Sequence, residues 1–210
     1  TTLRASFAAE VPEGDLFSIV LAIGWPIWPL IIASVVALAL IIERGIALRR
    51  PKILPPRLLN DVLALHAKRQ VSPDVVAKLE DSSPLGRVLA AALRNERAPR
   101  EIAHEAVANA GGHVAHDLSK NLSLLGSIGS IAPLIGLFGT VIGMIEIFAP
   151  QQLAHGISIA LYCTAFGIVV AVPAVMAYRH YKSKIEDFVV DMEDEAQKLL
   201  DTLFAPRAQG

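Results

Sequence analysis

Three long intervals of this chain contain no Asp, Glu, Lys or Arg: residues 16–42, 121–145 and 147–178. A helix needs roughly 20 apolar residues to cross a hydrocarbon core about 30 Å thick, and each interval supplies them. A soluble helix, by contrast, keeps a charged or polar face toward water. In lipid the backbone must satisfy its own hydrogen bonds, so each run is predicted to be a helix. The fold class is therefore an all-α membrane protein with transmembrane helices at 17–42, 123–147 and 157–178. The composition agrees, with 53% hydrophobic residues and a mean hydropathy of +0.50. The first run lies inside the chain with only Arg4 ahead of it, which reads as an uncleaved anchor rather than a secretory signal.

Basic residues set the orientation. Arg44, Arg49, Arg50 and Lys52 follow the first span, and Arg179, Lys182 and Lys184 follow the third, so both ends are predicted to face the cytoplasm. The N-terminal segment 1–16 holds Arg4 against Glu10, Glu13 and Asp15, and the loop 148–156 has no Lys or Arg. This places the N-terminus outside, a helical insert at 43–122 inside, and a C-terminal helix at 179–210 inside. Residues 43–120 carry 13 Lys and Arg against 9 Asp and Glu. That mild excess suits a solvated domain near membrane lipids better than a nucleic-acid surface.

Within the insert, the prolines of "RPKILPPRLL" predict a turn. Leu58, Leu59, Val62 and Leu65 make one helical face. Ser72 caps a helix with Pro73 at its first position, and Leu85 to Leu93 form another helix. From "APREIAHEAV" onward nothing interrupts the helical pattern before Pro133, which predicts one long helix running into the second span, weakened at Gly111 and Gly112. In the tail, Ile185, Phe188, Val189, Met192, Ala196, Leu199 and Leu200 form a stripe that extends the third span as a helix.

Small residues organise the second and third spans. Gly126, Gly129, Pro133, Gly136, Thr140 and Gly143 recur every third or fourth residue, as do Gly156, Ala160, Thr164, Gly167, Ala171 and Ala174. Each set shares one helix face. Membrane helices associate through such faces because lipid offers no competing hydrophobic drive. One reading is tight packing of the two spans within a subunit. The other is a pathway at the centre of an oligomer, with Thr140 and Thr164 at matched depth as its polar ring.

Other candidates carry less. Glu146 stands near the outer end of the second span, either as an interfacial carboxylate or as a periplasmic access point. His113 and His116 lie three residues apart, near His104, without the further ligands that a metal needs. His155 lies in the outer loop, and Cys163 reads as a small packing residue. No nucleophile elbow, phosphate loop or zinc motif occurs, and Ser127 and Ser130 have no base at their depth, so neither an enzyme nor a cofactor is expected.

"APLIGLFGTVIGM" followed by "ALYCTAFGIVVAVPAVMAY" resembles the proton-channel family of ExbB, TolQ and MotA, closest to its ExbB and TolQ branch. The resemblance implies a homopentamer in the bacterial inner membrane. Its second and third spans would surround a single-span partner similar to ExbD or TolR, working on a TonB-like or TolA-like protein. It further implies Thr140 and Thr164 as channel threonines and Pro133 and Pro173 as helix-bending prolines; on the pathway reading of the two small faces, Gly136, Gly143, Ala160 and Gly167 line the pore with the threonines. Glu105 becomes a candidate for the cytoplasmic mouth or a partner contact. Many relatives have a glutamate five residues before the threonine of the third span, where this chain has Ile159. That departure leaves the partner's carboxylate as the titrating group. An ExbB-like role in TonB-dependent transport is expected, with a TolQ-like role or a non-conducting scaffold as the alternatives.

Overall fold

The computed structural model of the chain describes residues 25–145 and 153–205. The N-terminal segment, Glu146, most of the outer loop and the His155 side chain lie outside the described residues. A 3-10 turn at Trp25–Ile27 opens α1 (Trp28–Ala47). It is followed by α2 (Arg50–Ile53), α3 (Leu58–Ala67), α4 (Pro73–Ser82), α5 (Pro84–Arg94), α6 (Arg100–Ser119), α7 (Leu122–Ile145) and α8 (Leu153–Leu203). No strand occurs among the described residues. Three helical stretches are long and apolar enough to cross a membrane: Trp25–Ala47, Leu122–Ile145 and part of Gly156–Leu203.

The chain divides into two compact units. The first combines α1 up to Ala39, α7 from Gly126 and α8 up to Met176. Its large apolar side chains point outward, among them Ile32, Val35, Leu134, Val141, Leu161 and Val169. Small residues fill the contact between α7 and α8, and Ile27, Leu30 and Ile159 are the large side chains buried beside it. This inverts the arrangement of a water-soluble bundle and fits a surface that meets hydrocarbon.

The second unit comprises α1 from Leu40, α2 to α6, the first turn of α7 and α8 from Ala177. Here the interior is large and apolar, with Leu48, Leu85, Leu89, Val114, Met192 and Leu199 essentially inaccessible. Ile185, Phe188, Ala196 and Leu200 of the tail stripe are buried too, and Val189 is half-buried. Ser72 Oγ accepts from the Val75 N–H at 3.3 Å and Ser83 Oγ from the Gly86 N–H at 3.0 Å, so α4 and α5 each start on a serine cap followed by proline.

Two local expectations fail. Residues 50–53 of the proline-rich stretch form a one-turn helix rather than only a turn, because Pro51 sits in its first turn, where a missing N–H breaks no bond. The long helix into the second span is interrupted at Lys120 and Asn121, not at Gly111 and Gly112, which stay helical.

The end of α3 carries strain. Gln70 N–H bonds to Leu65 O at 3.0 Å and Arg69 N–H to His66 O at 2.9 Å, which is a Schellman termination. Arg69 occupies its left-handed position with φ 52°, where glycine pays no steric penalty. Arg69→Gly is expected to stabilise the second unit by about 0.5–1 kcal/mol. The measurement is a thermal midpoint in detergent, and an unchanged or lowered midpoint would contradict the strain.

Candidate channel face

α7 and α8 approach each other at backbone distance. A Cβ added at Gly136 would lie 2.8 Å from Cys163 O, at Gly139 2.5 Å from Cys163 Cβ, and at Gly143 2.7 Å from Gly156 O. From the other side, a Cβ at Gly167 would lie 2.9 Å from Ala132 O. Only glycine permits this closeness, and close packing of small residues is what holds helices together in lipid.

The buried row of α7 is therefore Gly129, Ala132, Gly136, Gly139 and Gly143, and that of α8 is Gly156, Ala160, Cys163, Gly167, Ala171 and Ala174. The stripe read from the sequence shares Gly129, Gly136 and Gly143 with this row. Its other members, Gly126, Pro133 and Thr140, sit half-buried on one flank. Gly136, Gly143, Ala160 and Gly167, expected beside the pathway, are all enclosed in the seam between α7 and α8. The complementary small face of the chain's own α8 is what covers them.

α1 covers one side of this pair. Ile27 packs with Ile159 and Cys163, joined by Ile31 and Phe166. Leu30 packs with Ala132 and Ala171, joined by Ile135, Phe166 and Val170. Ile159 is only 5% exposed in this apolar setting, so its role here is in packing.

Thr140 and Thr164 border the seam between α7 and α8, with Thr164 on the same side of α8 as Ala171, which packs against Leu30 of α1. At about 100° per residue, Thr140 is turned well away from Ile135, and Thr164 from Ile159 and Phe166. Both are half-buried. Gly139 meets Cys163 and Gly136 meets Thr164, so the two threonines stand about 3–6 Å apart in level along the helices. Thr140 Oγ1 donates to Leu137 O at 2.6 Å and Thr164 Oγ1 to Ala160 O at 3.2 Å. With each proton committed to its own helix, the oxygens present acceptor lone pairs outward. Such a pair can solvate a protonated water or a protonated acid, and it adds no charge of its own.

The remaining candidates are dispersed. Pro133 and Pro173 sit inside unbroken helices, half-buried and exposed respectively, and each removes the N–H that the carbonyl four residues earlier would bond. Glu105, His104, His113 and His116 are exposed on α6. Ala132 and Gly139 are seam residues that the sequence reading did not select, and Cys163, read as a small packing residue, lies in the seam with them. A second phase of the same glycine spacing, through 132 and 139, was the signal for the first two.

Described residues that are helical wherever they are regular, three apolar helices and glycines interlocked at mid-span define a polytopic membrane protein. The chain belongs to the MotA/TolQ/ExbB proton channel family, whose model matches residues 80–194. It is 31% identical to the biopolymer transport protein exbB1 of Vibrio cholerae, over 73% of this chain and 73% of that protein. It is also 31% identical to a putative biopolymer transport protein, ExbB-like 3, of a Synechocystis species, over 80% of this chain and 86% of that protein. The Tol-Pal system protein TolQ of Pseudomonas aeruginosa is 37% identical over 40% of this chain and 41% of its own length.

Proposed function

We propose that this chain is an ExbB-like channel and motor subunit of the bacterial inner membrane. Five copies, each with its N-terminus in the periplasm and its C-terminus in the cytoplasm, surround a single-span ExbD-like partner. The proton motive force acting on this assembly energises TonB-dependent transport across the outer membrane. The observation that carries the reading is the pair Thr140 and Thr164, within about one helical turn of each other beside the seam of α7 and α8, in spans whose centres hold no Asp, Glu, Lys or Arg.

In this reading the partner's carboxylate takes and releases the proton, and the two threonine oxygens solvate it at mid-membrane. Gly136, Gly143, Ala160 and Gly167 act from behind, holding α7 and α8 close enough to present both hydroxyls. Pro133 and Pro173 bend the helices around the pathway. Glu105 lies toward its cytoplasmic mouth and Glu146 toward its periplasmic side. A TolQ-like role in the Tol-Pal envelope system is the second reading, favoured by the similarity to the Pseudomonas protein over the region of the match.

The test is reconstitution of the purified complex with its single-span partner in vesicles carrying a pH-sensitive dye. The expected result is proton flux that requires the partner and disappears when the partner's membrane carboxylate is replaced by its amide. Stable assembly without flux would instead establish the scaffold reading. The mass of the detergent-solubilised complex is expected to correspond to five copies of this chain. Rescue of nutrient uptake or of outer-membrane integrity in deficient cells separates the ExbB-like role from the TolQ-like one.

A further inference from the structure

Pro173 has no N–H, so the α-helical bond that Val169 O would accept from it cannot form. Both residues are exposed, Val169 to 65%. At mid-span hydrocarbon offers no donor, and a carbonyl deprived of its amide there is costly. α7 presents a hydroxyl that can supply one. Ser130 is exposed, and its Oγ donates to Gly126 O at 3.0 Å. In an α-helix that carbonyl is already served by the Ser130 N–H, so the hydroxyl proton is the one that can leave.

The two groups cannot meet within one copy. Nine residues separate Ser130 from Gly139 and Val169 from Ala160, which at about 100° per residue turns each about 180° away from the seam. They therefore lie on opposite outer edges of the α7–α8 pair. Their depths agree nonetheless. A Cβ at Gly129 would lie 3.2 Å from Val175 N, and one at Gly167 would lie 3.2 Å from Gly136 Cα. Ser130 thus stands between the levels of Gly167 and Val175, within about one helical turn of Val169 and Pro173. Copies related by a rotation axis along these helices repeat every atom at the same depth, and a head-to-tail arrangement brings the α7 edge of one to the α8 edge of the next. Ser130 is turned about 80° from Thr140, and Val169 about 140° from Thr164, so this contact leaves the threonines free.

We infer that these two edges form the interface between neighbouring copies of this chain: Ser130 Oγ of one copy donates to the Val169 carbonyl of the next. Leu134 and Val172, exposed on the same two faces, cover the bond. Apolar side chains alone do not distinguish a second copy from lipid, which is as apolar as they are, so the polar pair at matched depth is what selects the copy. The inference rests on the several-copy assembly of the proposed function and not on conduction.

The first test is disulfide trapping in membranes that hold the full complex with its single-span partner, in a Cys163→Ala background. Oxidation of Ser130→Cys combined with Val169→Cys is expected to give cross-linked dimers and a ladder of larger species on non-reducing gels, with neither single variant doing so. Dimers from a single variant would show that like edges meet, and no cross-link from the pair would show that these edges do not; either overturns the inference. The mass of the same solubilised complex tells the causes apart. A single-copy mass removes the assembly of the proposed function as well, whereas a several-copy mass without cross-link removes this contact alone.

The second test is a double-mutant cycle on the hydrogen bond. Ser130→Ala is expected to weaken association between copies by roughly 3- to 15-fold, read from the detergent dilution at which the oligomer dissociates. Pro173→Ala returns an N–H to Val169 O, and in that background Ser130→Ala is expected to change association by less than about 2-fold. An equal loss in both backgrounds, or no loss in the parent, overturns the bond. Should Pro173→Ala fail to assemble, Ser130→Thr against Ser130→Val decides: threonine keeps the hydroxyl and is expected to hold the parent's association, and an equal loss in both variants overturns the bond.

Discussion

Valine at both Thr140 and Thr164 is expected to reduce partner-dependent proton flux by at least about 30-fold, since each lost hydroxyl forfeits roughly 1–3 kcal/mol of solvation for a passing charge. The substitution is close in shape, and both hydroxyls donate to carbonyls of their own helices. Their removal therefore leaves no buried donor behind, and the complex is expected to purify at its normal mass. Each single variant is expected to retain measurable flux, with losses that do not add if the two oxygens hold one water chain. Full flux in the double variant would remove the threonines from the pathway and leave the seam as their only context.

The second large effect concerns assembly. Gly139→Ala places a methyl 2.5 Å from Cys163 Cβ and 2.6 Å from its sulfur. The helices cannot separate locally, because Gly136 and Gly143 hold α7 against backbone oxygens of α8 on either side. Overpacking of this kind costs about 1–3 kcal/mol, and here it acts on the central contact of the first unit. A lowered thermal midpoint and a loss of intact complex by size-exclusion chromatography are expected. Cys163→Gly in the same chain removes both clashing atoms and is expected to restore assembly, whereas Cys163→Ala keeps the Cβ and restores it only in part. Gly139→Ala with an unaltered midpoint would show that the two helices do not meet as described.

The three spans were legible because a missing charge is a one-dimensional signal, and lipid imposes it on every residue of a crossing helix. The small faces were legible as composition but not as geometry. Gly129, Gly136 and Gly143 belong equally to a stripe through Pro133 and Thr140 and to one through Ala132 and Gly139. Which stripe becomes the seam is decided by Cys163, Ala171 and Gly167 on another helix, and no window of α7 contains that information. The caps at Ser72 and Ser83 were readable, since Ser followed by Pro acts within one turn. The interruption at Lys120 was not, because neither Lys120 nor Asn121 is a glycine or proline. Ile159 shows the same limit of local reading: it was visible as an apolar residue of the third span, whereas its partner, Ile27, could only be found in space.

The glycine seam also constrains how such a machine can work. Two helices meshed at backbone distance behave as a keyed shaft: sliding by a fraction of a turn would drive Cβ and carbonyl atoms together, and only a full step of about 5.4 Å would bring the teeth back into register. α7 and α8 of one copy therefore form a single stiff spoke. In the proposed assembly, displacement would occur between spokes or against the axle they surround, and the gradient's energy would be delivered there instead of being spent within the subunit.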